Sequence, residues 1–300
     1  MTIADILARA AGENAGRIAV AAAHDEDVLH AACAAKRQGI AEPILIGDCA
    51  RIDALLRQLG EHPGDYARIG AADDADAARR AVSCVREGRA NLLMKGLMST
   101  AELMRAIIDR ENGIRTDRLI SHVMLYEPVG HKLMALTDGG MIPFPDLAKK
   151  ADILENAART LCTLGYERIY AACIAGAEVV NPKIPSMTDA LSLVSMKERW
   201  QPYRMEVYGP VGLDLAVSPE ACRHKRYAAA GAGEADILLV PTYEVGNALG
   251  KSLSLFGSAK NAGVIVGARV PVVLVSRSDS AKTKLSSIAL GAVLATNDPN

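Results

Sequence analysis

Residues 119–138 read LISHVMLYEPVGHKLMALTD, two apolar runs separated by Glu127-Pro128-Val129-Gly130. A turn of that composition between such runs predicts a β-hairpin, and therefore an antiparallel pair of strands. Over most of the remaining length, short apolar runs alternate with longer amphipathic ones, a pattern that predicts an α/β fold. Continuous runs such as DILLVP (236–241) and PVVLV (271–275) suit strands covered on both faces, as in a parallel sheet between helices. The expected sheets are thus mixed and mainly parallel. Directly after the hairpin comes TDGGMIPFPD (137–146), with its paired glycines and two prolines. That is a natural crossing point between two lobes with a cleft between them.

Strands are predicted at 17–23, 43–47, 90–95, 119–127, 131–137, 168–174, 205–208, 236–241, 263–266 and 271–275. Helices are predicted at 25–38, 73–87, 99–109, 144–164, 186–197, 219–230, 246–258 and 280–295. No internal repeat or low-complexity block interrupts the order.

The chain of 300 residues is long enough for two domains with a sizeable core. Its formal net charge of −1 gives no whole-protein reason to expect nucleic acid or a membrane surface as partner. No leader is expected at the N-terminus, and no apolar run reaches 18 residues, so a bilayer span is not expected. Six scattered cysteines without a CxxC pair or a Cys/His cluster predict reduced thiols in a cytoplasmic protein, with no metal site. One Trp and two Phe leave the core to aliphatic side chains.

Chemistry is expected where buried strands run out, because open α/β sheets bind ligands at the carboxyl ends of their strands. After PVVLV the chain reads Ser276-Arg277-Ser278-Asp279-Ser280, and then a helix burying one face through Leu285, Ile288, Ala289, Ala292 and Val293. The helix N-terminus and Arg277 together suit an anion. The same residues also suit a plain cap, with Asp279 or Ser280 on the helix and Arg277 in water. A second strand ends at Lys95-Gly96, ahead of a helix at Ser99 and Thr100. Ser99 and Glu102 have capping-box spacing, and Lys95 reads equally as a surface lysine. Near 235–257, GNALGKS fails as a phosphate loop, since only three residues separate Gly246 from Gly250. That stretch does place Glu244, Gly246 and Asn247 at a strand-to-helix turn. In VVNPKIPSMTDALSL (179–193), Ser186 is the expected N-cap. His24, His122, His131 and His224 share no spacing and suit packing or surface roles.

Taken in order, LLMKGLMST, NPKIPSMTDA, YGPVGLDLAVS, ADILLVPTYEVGN and GVIVGARVPVVLVSRSDSAKTKLSSIAL resemble the phosphate acetyltransferase/butyryltransferase family, most closely its butyryltransferase branch, over residues 10–296. The resemblance implies a two-lobed fold like that of isocitrate dehydrogenase, a homodimer, and a site in the interlobe cleft. It implies residues 1–138 with 276–300 as one lobe and 139–275 as the other. The implied reaction converts a short-chain acyl-CoA, such as butyryl-CoA or acetyl-CoA, and phosphate reversibly to acyl phosphate and CoA. No cofactor is required beyond the coenzyme A thioester that is itself a substrate. By the same resemblance Arg277 holds phosphate and Ser276 donates to the oxyanion; Asp279, as the carboxylate nearest the arginine, is the candidate base, or else a cap or an orienter of Arg277. Lys95, Ser99, Thr100, Glu244, Gly246, Asn247 and Ser280 line the substrates. The acetyltransferase pattern has a carboxylate one or two helical turns beyond the arginine, where this chain has Lys282 and Thr283. That departure keeps open a non-catalytic protein binding acyl-CoA or phosphate. An NAD-dependent dehydrogenase of the same fold would need clustered aspartates that the sequence lacks.

Overall fold

The computed structural model describes residues 1–12, 16–276 and 279–297. Its strands are β1 (Arg17–Ala21), β2 (Glu42–Gly47), β3 (Ala67–Gly70), β4 (Leu92–Lys95), β5 (Ser121–Glu127), β6 (Met134–Thr137), β7 (Ile169–Ile174), β8 (Met205–Val211), β9 (Ile237–Leu239), β10 (Lys260–Val266) and β11 (Val272–Val273). Its helices are α1 (Ile3–Gly12), α2 (Glu26–Arg37), α3 (Cys49–Gln58), α4 (Asp74–Arg86), α5 (Thr100–Ile108), α6 (Leu147–Thr163), α7 (Pro185–Ser195), α8 (Lys197–Trp200), α9 (Leu213–Val217), α10 (Pro219–Lys225), α11 (Tyr243–Leu255) and α12 (Ala281–Asn297). The chain forms two compact units, one from residues up to Ile120 with those from Asn261 onward, the other Ser121–Lys260.

In the first unit the strand order is β3-β2-β1-β4-β11-β10. The first five run parallel, and β10 is antiparallel to β11. Both faces of β1, β2 and β4 are covered, which explains their unbroken apolar runs. The strand β3 escapes prediction because it is an exposed edge strand without an apolar run. Helix α12 packs against α1 and α2. Its residues from Ser286 to Leu294 are all buried, so the expected one-sided face is instead burial all round.

In the second unit the order is β5-β6-β9-β7-β8. Here β6, β9, β7 and β8 are parallel, and β5 pairs antiparallel with β6 through Met124↔Leu136 and Tyr126↔Met134. The hairpin read from residues 119–138 is therefore present. The single tryptophan, Trp200, is fully buried and donates its indole N–H to the Leu193 carbonyl at 2.7 Å. Arg199 reaches from α8 to Asp152 and Glu155 on α6, and Lys150 of α6 pairs with Asp189 of α7 at 2.7 Å.

The units divide after residues 120 and 260, whereas 138 and 275 were expected. The hairpin carries β5 along with β6, which is bonded to β9, so 121–138 goes with the second unit. Strands β10 and β11 join β4, so 261–275 goes with the first. Among the described residues no helix is long and apolar enough to cross a membrane.

Candidate functional site

In the first unit, β1, β4 and β11 are parallel neighbours, so their carboxyl ends share one edge. The loop after β4 folds back over the end of β1: Gly96 donates to the Ala21 carbonyl at 2.7 Å and Leu97 to that of Ala22 at 2.9 Å. A Cβ at position 96 would lie 2.1 Å from the Ala22 carbonyl oxygen, so only glycine fits. This turn draws Lys95 inward. It is 5 % exposed, which removes the surface-lysine alternative, and its ammonium donates to the carbonyls of Gly96 and Met98 at 3.1 Å each. A buried cation needs such oxygens to replace water.

Ser99 caps α5. Its hydroxyl accepts the Glu102 N–H at 3.2 Å and donates to the Glu102 carboxylate at 2.7 Å, while its own N–H donates to that carboxylate at 3.2 Å. The Ser99 hydroxyl, and then its N–H, hold the Glu102 carboxyl below the usual carboxylate range. Thr100 follows as the first helical residue.

After β11, Ser276 is exposed, and its N–H donates to the Asp279 carboxylate at 2.7 Å. The Asp279 N–H returns a bond to the Ser276 carbonyl at 3.1 Å. Asp279 thus closes the loop rather than capping the helix. The cap falls to Ser280, whose hydroxyl accepts the Thr283 N–H at 3.2 Å. Arg277 lies outside the described residues.

One cation near this loop escaped the sequence reading. Lys284 of α12 is 3 % exposed, and its ammonium donates to the Asp279 carbonyl, with an Asp27 carboxylate oxygen of α2 at 3.7 Å. The available signal was a lysine on the face of α12 that also carries Ile288. The first unit therefore brings Lys95, Ser99, Thr100, Ser276, Asp279 and Ser280 to the carboxyl ends of two strands separated by no other strand.

In the second unit, α11 begins at Tyr243 with Thr242 as its N-cap. Glu244, Gly246 and Asn247 therefore lie within the first turns of that helix, not in a turn ahead of it. Glu244 is exposed, Asn247 half-buried and Gly246 buried. A Cβ at Gly246 would meet the Gly139 Cα at 2.7 Å, so the helix presses on the loop after β6. That loop is shaped by Asp138, a buried carboxylate that accepts N–H groups from Gly140 at 2.8 Å, Met141 at 2.7 Å and His122 at 2.8 Å. Sequence reasoning saw only a crossing point there. Gly250 is likewise a packing residue, since a Cβ there would fall 2.2 Å from the Tyr126 hydroxyl. Ser186 lies inside α7, whose N-cap is Ile184 with Pro185 at the first helical position. The expected serine cap is thus replaced by a proline start.

The buried cysteines are ill suited to nucleophilic work: burial pushes the Cys173 thiol up to about 12 and raises those of Cys33 and Cys84.

Fold and edge loops together define a two-unit α/β protein on mainly parallel strands, the class that meets ligands at carboxyl strand ends. A model of the phosphate acetyl/butaryl transferase family matches residues 1–75 and 61–292. The phosphate butyryltransferase of Clostridium acetobutylicum is 40 % identical over 294 residues, covering 98 % of each chain. The phosphate acetyltransferase of Thermotoga maritima is 38 % identical, covering 93 % of this chain and 95 % of its own. The crystal structure of a branched-chain phosphotransacylase from Enterococcus faecalis V583 superposes with a TM-score of 0.82 at 34 % identity, covering 93 % of this chain and 99 % of that one. The chain belongs to the phosphate acetyl/butaryl transferase family.

Proposed function

We propose that the protein catalyses reversible acyl transfer between coenzyme A and inorganic phosphate, with short-chain acyl groups such as butyryl or acetyl. The observation that carries this reading is the nearly full-length match to phosphate butyryltransferases and acetyltransferases. The reaction forms a carbon–oxygen bond from phosphate to the thioester carbonyl and breaks the carbon–sulfur bond. The proton of hydrogen phosphate ends on the CoA thiolate, whose ordinary pKa of about 8.5 leaves little need for a strong acid.

Holding phosphate against the carbonyl supplies part of the rate, and Arg277 takes that role with its fork of donors. Ser276, exposed at the carboxyl end of β11, donates to the oxyanion of the tetrahedral intermediate. Asp279 is better suited as a positioning residue than as the base, because its carboxylate accepts the Ser276 N–H. Lys95 and Lys284 add two buried positive charges to the same strand edge, which favours anionic substrates. Ser99, Thr100 and Ser280 complete that edge, and Glu244, Gly246 and Asn247 are the candidate substrate residues of the second unit, taken by itself.

The six free thiols suit a reducing compartment, which we take to be the cytoplasm. A homodimer is supported by apolar surface at the end of α11, where Leu255 is 74 % and Phe256 87 % exposed. The test of function is a thiol-trapping assay with butyryl-CoA and acetyl-CoA, with and without phosphate. CoA release that depends on phosphate is expected, and release that ignores phosphate, or none at all, contradicts the reading.

A further inference from the structure

Helices α4 and α5 pack side by side in the first unit and enclose a groove of about 570 Å³, a size that suits a small ligand. Its lining joins the starts of the two helices, Asp76 with Glu102, and their ends, Arg86 with Asp109 and Asn112. The helices therefore run in the same direction. Arg79 and Arg105 each stand five residues after the first residue of their helix, and Arg86 follows seven residues later on α4, about 10 Å further along the axis. Ala75, Val82 and Ala106 give the groove an apolar wall.

Four guanidinium groups, of Arg79, Arg80, Arg86 and Arg105, line the groove with three carboxylates, of Asp76, Glu102 and Asp109. Each carboxylate is already engaged. Asp76 is shared by Arg79 at 3.3 Å and Arg80 at 2.8 Å, and it also accepts the Ala72 N–H at 3.1 Å. Glu102 is held by Ser99, and Asp109 accepts the N–H groups of Glu111 at 3.0 Å and Asn112 at 2.7 Å. Arg86 donates to the neutral Asn112 side chain at 2.9 Å, and neither Arg86 nor Arg105 forms an ion pair among the described residues. Beside the lining, Glu87 pairs with Arg89 at 2.7 Å, Arg110 and Glu111 offset each other, and Asp73 and Asp74 sit at the end of α4 remote from Arg86. The groove is thus basic toward the helix C-termini, with two guanidinium groups open to an anion. Their planar forks match carboxylate and phosphate, and the apolar wall matches a short carbon chain.

We propose that this groove binds a small organic dianion, two carboxylates or a carboxylate and a phosphate joined by a short carbon chain, through Arg86 and Arg105. Apart from Glu102, which it shares with the Ser99 cap, the groove uses none of the strand-end residues assigned to the substrates. The test is calorimetric titration of glutarate, 3-phosphoglycerate and the monoanion butyrate into wild type, Arg277→Ala and a double variant, Arg86→Gln with Arg105→Gln. Wild type is expected to bind at least one of the two dianions about tenfold more tightly than butyrate, and the preferred one identifies the second anionic group. The double variant is expected to bind that dianion about 10- to 100-fold more weakly, the worth of a charged hydrogen bond, and Arg277→Ala to bind it unchanged. Dianions held no more tightly than butyrate, or held by the double variant as well as by wild type, would overturn the proposal. So would weakened dianion binding in Arg277→Ala, which would move the ligand to the strand-end loops. No turnover enters these titrations, so their failure is separate from a failure of phosphate-dependent CoA release.

Discussion

A carboxylate that accepts a backbone N–H is committed to that bond, and this decides how Asp279 is read. Its oxygen lies 2.7 Å from the Ser276 nitrogen, and Asn at the same position still offers an oxygen. As a positioning residue, Asp279→Ala is expected to lower kcat about ten- to hundredfold by loosening Ser276. Asp279→Asn should restore most of that loss, with an unshifted pH–rate profile. A profile that loses its ascending limb in Asp279→Asn would make the carboxylate the base after all. Arg277→Ala is expected to raise the phosphate KM about 10- to 100-fold, the worth of a charged hydrogen bond. Steady-state kinetics at varied phosphate read this directly. A wild-type phosphate KM in that variant would remove Arg277 from the site.

At the scale of elements, two contacts make quantitative claims. Ser99 caps α5, and Ser99→Ala is expected to cost about 1 kcal/mol at neutral pH, read by denaturant unfolding. The sign of its pH dependence follows from the lowered Glu102 carboxyl. A group held low in the folded state contributes stability above its ordinary pKa of 4.5 and loses it as pH falls through the lower folded value. The gap between wild type and Ser99→Ala should therefore narrow in acid. Gly246→Ala drives a methyl group into Gly139 and is expected to destabilise the second unit by about 1–3 kcal/mol. Much of this was legible in the residues. The S-x-x-E spacing announced the cap on α5, and Glu127-Pro128-Val129-Gly130 announced the hairpin. The start of α11 was not legible, because Thr242 and Tyr243 carry no signal stronger than the glycine that follows them. Nor was the burial of Lys95, which depends on the loop after β4 crossing the end of a distant strand.

For the whole molecule, the alternation of runs was enough to predict α/β, and the hairpin was enough to predict mixed sheets. Where the units divide was less legible, since that depends on which strands bond: β10 and β11 go to β4, while the hairpin goes to β9. The residues of the loop after β11 that bond to one another, Ser276, Asp279 and Ser280, could be picked out from the sequence, but which of them caps the helix and which closes the loop required the hydrogen bonds. The central claim is acyl transfer to phosphate, and its most direct test follows the fate of the acyl group. Wild-type protein incubated with butyryl-CoA and phosphate should release CoA and form butyryl phosphate, trapped as a hydroxamate, in equal amounts. CoA released without the matching acyl phosphate would contradict the account.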